Sequence, residues 1–89
     1  MLPKHSELVF ISACCPHSKG SLLNLLQIIA NYNINMTKIE SRPVKNRPGD
    51  FRFFIEAECD IGTAEVQEML SEIRKNTLEC KLLGAYNRG

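Results

Sequence analysis

Three groups of residues in this 89-residue chain have the types and spacing to do chemistry. In Glu40-Ser41-Arg42-Pro43, a carboxylate, a hydroxyl and a guanidinium stand directly before a residue that fixes φ and has no N–H. On a strand end such a set could hold a polar ligand, although charges at a strand edge also serve solubility. In Lys19-Gly20-Ser21-Leu22, the chain passes into a helical pattern. The first N–H groups of a helix have no partner, and the positive end of the dipole lies behind them, so anions such as carboxylates can bind there. Gly20 has no Cβ to hold a ligand off, though a lone glycine before a helix also fits an ordinary turn. The third group is Cys14, Cys15 and His17, whose thiols and imidazole could meet a soft metal. Adjacent strand residues point to opposite faces, however, so a buried Cys14 beside a more exposed Cys15 is expected, with His17 a loop residue. No nucleophile stands at a recognisable spacing from a base, and His5 and His17 have no acidic partner beside them in sequence, so no catalysis is expected.

Composition narrows what surrounds these groups. A net charge of +1 gives neither a basic field for nucleic acid nor an acidic tail, and a hydrophobic fraction of 44 % suits a folded domain. No apolar run approaches the roughly 18 residues of a membrane span. The first seven residues, Met1-Leu2-Pro3-Lys4-His5-Ser6-Glu7, are polar and lack the core of a signal peptide. A cytoplasmic protein without membrane contact is expected. The spacing of the four cysteines fits neither a disulfide framework nor a zinc site. The length allows one domain, 1–89, with a core over about 7–86. A chain of this size buries only about 60 % of its unfolded surface, so pairing with a partner would add stability.

The positioning elements follow from periodicity. Residues 7–14 form an apolar run with both faces largely apolar, which predicts a central strand broken by Pro16 and by Gly20, which frees the backbone. A helix is expected from residue 18 or 19 to 32, with Leu22, Leu25, Leu26 and Ile29 on one face, Ser21, Asn24, Gln27 and Asn31 largely opposite, Ser18 as N-cap and Asn33 left-handed after its end. A second strand covers 34–42, and a loop rich in Pro, Gly and basic residues covers 43–50. In the third strand, 51–59, Phe51, Phe53, Ile55, Ala57 and Cys59 share one face, and Arg52, Phe54, Glu56 and Glu58 the other. After a turn at 60–63, with Thr63 as cap, a second helix over 64–76 carries Val66, Met69, Leu70 and Ile73 on one face. A last strand covers 78–86.

The order β-α-β-β-α-β predicts an α+β, ferredoxin-like sandwich: a four-stranded antiparallel sheet with two helices on one face. Right-handed crossovers place the first and third strands in the middle. The strand with Glu40-Ser41-Arg42 is then an outer one, open to two-fold pairing with a second copy of itself.

Asn35-Met36-Thr37-Lys38-Ile39-Glu40-Ser41-Arg42-Pro43 resembles the Ile-Glu-Ser-Arg-Pro signature of the phenylalanine-sensing ACT domain of prephenate dehydratases and bifunctional chorismate mutase/prephenate dehydratases. A related version belongs to the aromatic amino acid hydroxylases. Gly20-Ser21-Leu22-Leu23 is similar to the family's Gly-Ala-Leu-Val motif, and Leu82-Leu83-Gly84-Ala85-Tyr86 resembles the dehydratase-type last strand. Ser21 replaces the usual alanine, Lys19 stands where a proline is common, and the loop over 15–19 is longer. The resemblance spans about 7–86 and implies regulation: L-phenylalanine or a related amino acid, bound between two copies that pair through the second strand, feeds back on a catalytic dehydratase domain. It implies no cofactor. Backbone N–H groups of Gly20, Ser21 and Leu22 would hold the ligand carboxylate, and Leu22 and Leu23 would line one side of its ring. Glu40, Ser41, Arg42 and Pro43 of the other copy would close the site, with their carbonyls or Asn35 accepting from the ammonium. Arg42 could instead pair with Glu40 and set the strand end. The chain has no room for a catalytic domain, so it is read as a cut-out regulatory domain or a free-standing relative.

Two other classes share this element order. Metallochaperones put two cysteines in the loop after the first strand but separate them by two residues, unlike Cys14 and Cys15. RNA-recognition modules stack bases on third-strand aromatics. Phe51-Arg52-Phe53-Phe54 echoes that, but the alternating set is expected in the core, and the net charge does not suit phosphate binding. Lys45-Asn46-Arg47 is read as a solvated loop.

Overall fold

A computed structural model of the protein describes residues 4–16 and 18–88. The elements are β1 (Leu8–Pro16), α1 (Lys19–Asn31), β2 (Asn35–Pro43), β3 (Asp50–Glu58), α2 (Ala64–Asn76) and β4 (Glu79–Tyr86). The strands form one antiparallel sheet in the order β2-β3-β1-β4, and the helices pack together on one of its faces. The expected α+β sandwich, with β1 and β3 central and β2 at an edge, is the fold that forms.

The core lies between sheet and helices. Val9, Ile11, Ala13 and Cys15 of β1, Phe53 and Ile55 of β3, Leu25, Ile28 and Ile29 of α1, and Val66, Met69, Leu70 and Ile73 of α2 are all buried. The period-2 pattern of β3 and the 3.6-residue pattern of α2 are obeyed. On α1 the buried stripe is Leu25, Ile28 and Ile29; Leu22 only packs partly against it and Leu26 is half-buried, because contact with α2 turns the helix towards Ile28. Both helices are capped as their sequences dictate. Ser18 Oγ accepts the Ser21 N–H at 3.2 Å, and Thr63 Oγ1 accepts the Val66 N–H at 3.3 Å. Asn33 follows α1 with φ 57°, the left-handed turn expected of it.

Two expectations about β1 are corrected. The strand runs to Pro16, which still pairs opposite Asp50, because a missing N–H costs a ladder nothing at its last position. Cys15 is therefore inside the strand and as buried as Cys14, at 1 % and 0 % exposure. Gly20 lies within α1, as the expected helix start at residue 18 or 19 requires, and the one glycine with positive φ among the described residues is Gly49, in the β2–β3 loop. Smaller shifts affect the other ends: β2 starts at Asn35 and extends to Pro43, β3 covers Asp50–Glu58, and β4 begins at Glu79.

Residues ahead of β1 are clasped to the β3–α2 turn. Ser6 Oγ donates to the Cys59 carbonyl at 3.0 Å and accepts the Ile61 N–H at 2.9 Å. Asp60 accepts the backbone N–H groups of Ser6 and Gly62, with His5 Nδ1 2.9 Å from its second oxygen. These bonds hold the Asp60 carboxyl below its usual range, with the Gly62 N–H the largest cause, then His5 and Ser6.

Candidate functional site

The sheet's two sides divide the candidate residues. Cross-strand partners share a face. Ile39 stands opposite Ile55 and Ser41 opposite Phe53, both core residues, so Ile39, Ser41 and Pro43 lie on the helix side of β2. Lys38, Glu40 and Arg42 stand opposite Glu56, Phe54 and Arg52 and lie on the open side. Thr37 has no opposite residue in the β3 ladder and is the extra residue of a β-bulge, its hydroxyl donating to Glu56. The bulge reverses the alternation, so Asn35 also lies on the open side, where its side-chain amide donates to the Glu58 carboxylate.

On the helix side, α1 starts three residues after β1 ends, and the β1 end lies level with Phe51 of β3 and Pro43 of β2. The α1 N-terminus and the Ser41–Pro43 end of β2 therefore occupy the same end of the molecule. Gly20, Ser21, Leu22 and Leu23 form the first turns of α1. The Ser21 N–H is already taken by Ser18 Oγ, and helix geometry commits the Leu22 N–H to the Ser18 carbonyl. Gly20 is then the member of the predicted trio whose N–H remains for an outside acceptor. A Cβ built on Gly20 would meet no atom within 4 Å, so the space beside it is open. Leu23 projects into solvent at 70 % exposure, whereas Leu22 leans on the core.

On the open side, Phe10, Lys38, Glu40, Arg42 and Phe54 line a depression of about 340 Å³. The Arg42 guanidinium sits 6.0 Å from the centre of the Phe54 ring and 3.7 Å from Glu40, a geometry that steadies the strand end from within one chain. Sequence patterning put Phe54 on this face; Phe10, hidden in an apolar run, carried no comparable signal. Asn35 lies at the far end of β2 from these groups. Within one chain it does not join them: eight strand steps at about 3.3 Å each separate it from Pro43. At its end Glu58 also pairs with Arg88, and those bonds, Arg88 first and Asn35 second, hold the Glu58 carboxyl below its usual range.

The cysteines form no ligand cluster. Cys14 faces the open side, opposite Arg52 and Glu79, and Cys15 faces the core. Burial pushes the Cys15 thiol upward, with Cys14 and Cys80 adding to it. His17 lies outside the described residues. Among the described residues no three His, Cys, Asp or Glu side chains gather as a metal site, and no helix is long and apolar enough to cross a membrane. Phe53 is core, not a stacking platform.

The chain is similar to known proteins in both sequence and fold. The sequence profile described as "ACT domain" matches residues 9–75. Over 67 residues the chain is 34 % identical to the bifunctional chorismate mutase/prephenate dehydratase of Escherichia coli (strain K12), a match covering 75 % of this chain and 17 % of that protein. It is 33 % identical over 84 residues to the prephenate dehydratase of Methanocaldococcus jannaschii, covering 94 % of this chain and 30 % of the relative. The crystal structure of the prephenate dehydratase of Arthrobacter aurescens in complex with L-Phe superimposes with a TM-score of 0.80 at 25 % identity, over 99 % of this chain and 30 % of that one. The chain thus spans less than a third of the length of these relatives.

Proposed function

Because the chain belongs to the ACT-domain family, related to the regulatory regions of prephenate dehydratases, we propose that it is an L-phenylalanine-binding module working as a dimer. The observation that carries this reading is the placement of the open α1 N-terminus and the Ser41–Pro43 strand end at one end of the molecule, with β2 the free edge beside them. The ligand carboxylate meets the Gly20 N–H and the positive end of α1. Leu22 and the exposed Leu23 flank its ring. Ser41 and Pro43 of the same chain supply one polar wall and the Asn35 end of the second copy's β2 closes the site, while Glu40 and Arg42, turned to the other side, hold that strand end in shape. The complex of L-Phe with the Arthrobacter relative supports the choice of ligand.

Such a module does no chemistry. Its ligand favours one arrangement of two copies over another, and coupling of about 1–3 kcal/mol is enough to throttle a dehydratase domain attached to it or bound by it. The parent activity on this reading is prephenate dehydration in the cytoplasm, under feedback from phenylalanine. The test is calorimetry with L-phenylalanine, L-tyrosine and L-tryptophan. L-Phenylalanine should bind with a dissociation constant in the tens of micromolar, about −6 kcal/mol, and more tightly than the other two. Absence of binding by all three at millimolar concentration removes the reading.

A further inference from the structure

β2 is a nine-residue edge strand that packs against β3 and is exposed along most of its length. We propose that two copies pair antiparallel along β2 in a single register, with Ile39 opposite Ile39 of the second copy and Lys38 opposite its Glu40. This deepens the dimeric reading given above and rests on it.

Four separate features select the same register. First, cross-strand neighbours must share a face, so helix-side residues meet helix-side residues and Lys38, Glu40 and Arg42 meet one another. Only pairings whose residue numbers sum to an even value satisfy this in the regular stretch beyond the Thr37 bulge. Second, Ile39 is the midpoint of Asn35–Pro43, so an axis through it overlaps the two strands along their full length. Third, Ile39 is the large apolar side chain that β2 leaves in solvent, at 38 % exposure, although its partner Ile55 is fully buried. The axis lays two such side chains against each other at the rim of the helix layer. Fourth, the charges are self-complementary about that residue. Each Lys38 faces a Glu40, twice per seam.

Neighbouring registers fail on these terms. An axis through Glu40 sets glutamate against glutamate and Lys38 against Arg42. An axis through Lys38 sets lysine against lysine. An axis through Ser41 restores opposite charges, Glu40 with Arg42, but runs Lys38 alongside Val44 and pushes the first residues of each strand past Pro43 into the partner's loop. The Ile39 axis also carries Asn35 of one copy to the Arg42–Pro43 end of the other, which gathers the candidate residues that a single chain keeps apart.

Single-cysteine crosslinking of the intact chain tests the register. Directly opposed strand residues lie about 4.5–5.5 Å apart at Cα, within disulfide range. Under mild oxidation Ile39→Cys should give a disulfide-linked dimer, while Lys38→Cys and Glu40→Cys should crosslink only when the two variants are mixed; the parent chain, with its own four cysteines, is the blank. In sedimentation equilibrium Lys38→Glu and Glu40→Lys should each weaken the dimer roughly tenfold, and the double exchange should restore it to within about threefold. Crosslinking of Glu40→Cys on its own, a dimer that Ile39→Cys leaves unlinked, or a double exchange no better than the single ones overturns the register but leaves the dimer standing. A chain monomeric at all concentrations, with and without L-phenylalanine, removes the dimer and the register together.

Discussion

Arg52 on β3 reaches across β1 to Glu79 on β4, with Nη1 2.9 Å from Oε1, and roofs Cys14 on the side of the sheet that no helix covers. The same Nη1 donates to Ser12 Oγ at 3.2 Å. This explains why Ser12 and Cys14 are 1 % and 0 % exposed on an otherwise open face. Arg52→Ala should strip that cover. A buried hydroxyl left without its donor costs about 1 kcal/mol or more, so the melting temperature should fall by about 4–8 °C. Alkylation followed by mass spectrometry should find Cys14 modified from the native state in the variant, but only through unfolding in the parent. Equal protection of Cys14 in both would show that the ion pair is not its cover.

Gly20→Val should separate binding from folding. The added side chain meets no atom near its Cβ, the backbone needs no special φ, and valine has the higher helix propensity, so the fold should survive with stability changed by less than about 1 kcal/mol. The same side chain fills the approach to the Gly20 N–H, and binding of L-phenylalanine should drop by tenfold or more, about 1.4 kcal/mol. Unchanged affinity in calorimetry would move the ligand away from the α1 start.

The clasp at Asp60 should make stability sensitive to acid. Its carboxyl is held below the usual carboxylate range in the folded chain, so the folded state binds that proton less readily than the unfolded one. The stabilisation is complete above the unfolded value, near pH 4, and is lost as pH falls through the depressed folded value. Asp60→Asn should therefore lower stability at pH 7 and flatten its dependence below about pH 4. Urea titrations of parent and variant between neutral pH and the acid limb check this; parallel curves would rule it out.

Gly62→Ala should be destabilising for a reason outside its own loop. A Cβ there collides with the Lys4 carbonyl and the His5 ring. Overpacking of this kind costs about 1–3 kcal/mol. Removing residues 1–5 takes away the obstacle, so the same substitution should be near neutral in the shortened chain. A double-mutant cycle by thermal melting measures the coupling, and additive effects would count against the clash.

Periodicity located the elements because β3 and α2 each carry an unambiguous repeat, and the caps at Ser18 and Thr63 mark helix starts by side-chain chemistry alone. What escaped depends on contacts across the fold. Alternation beside a buried Cys14 predicts a more exposed Cys15, but Cys15 is the one that faces the helices and the core, and Cys14, on the open side, is covered by the Arg52–Glu79 pair. Ile28 was missed because the wide apolar pattern of α1 fits more than one rotation, and contact with α2 selects among them. The split of Glu40 and Arg42 from Ser41 and Pro43 follows from alternation, yet the turning of Asn35 does not: it needs the bulge at Thr37, which no turn residue announces. The Arg52–Glu79 bridge spans 27 positions in sequence and could be found only from the register.

β4 carries its own extra residue, Leu83, where the ladder with β1 shifts between Phe10 and Ile11. A regular run of only four residues, 79–82, precedes it, against six, 38–43, at the other border. A chain that docked smoothly at both borders could add subunits without end and grow into a ribbon. In the proposed dimer, the irregular spacing at β4 and the two-fold contact at β2 give growth a stopping point, because that contact would consume the border with the longer regular run in both molecules and leave the shorter one facing out at each end.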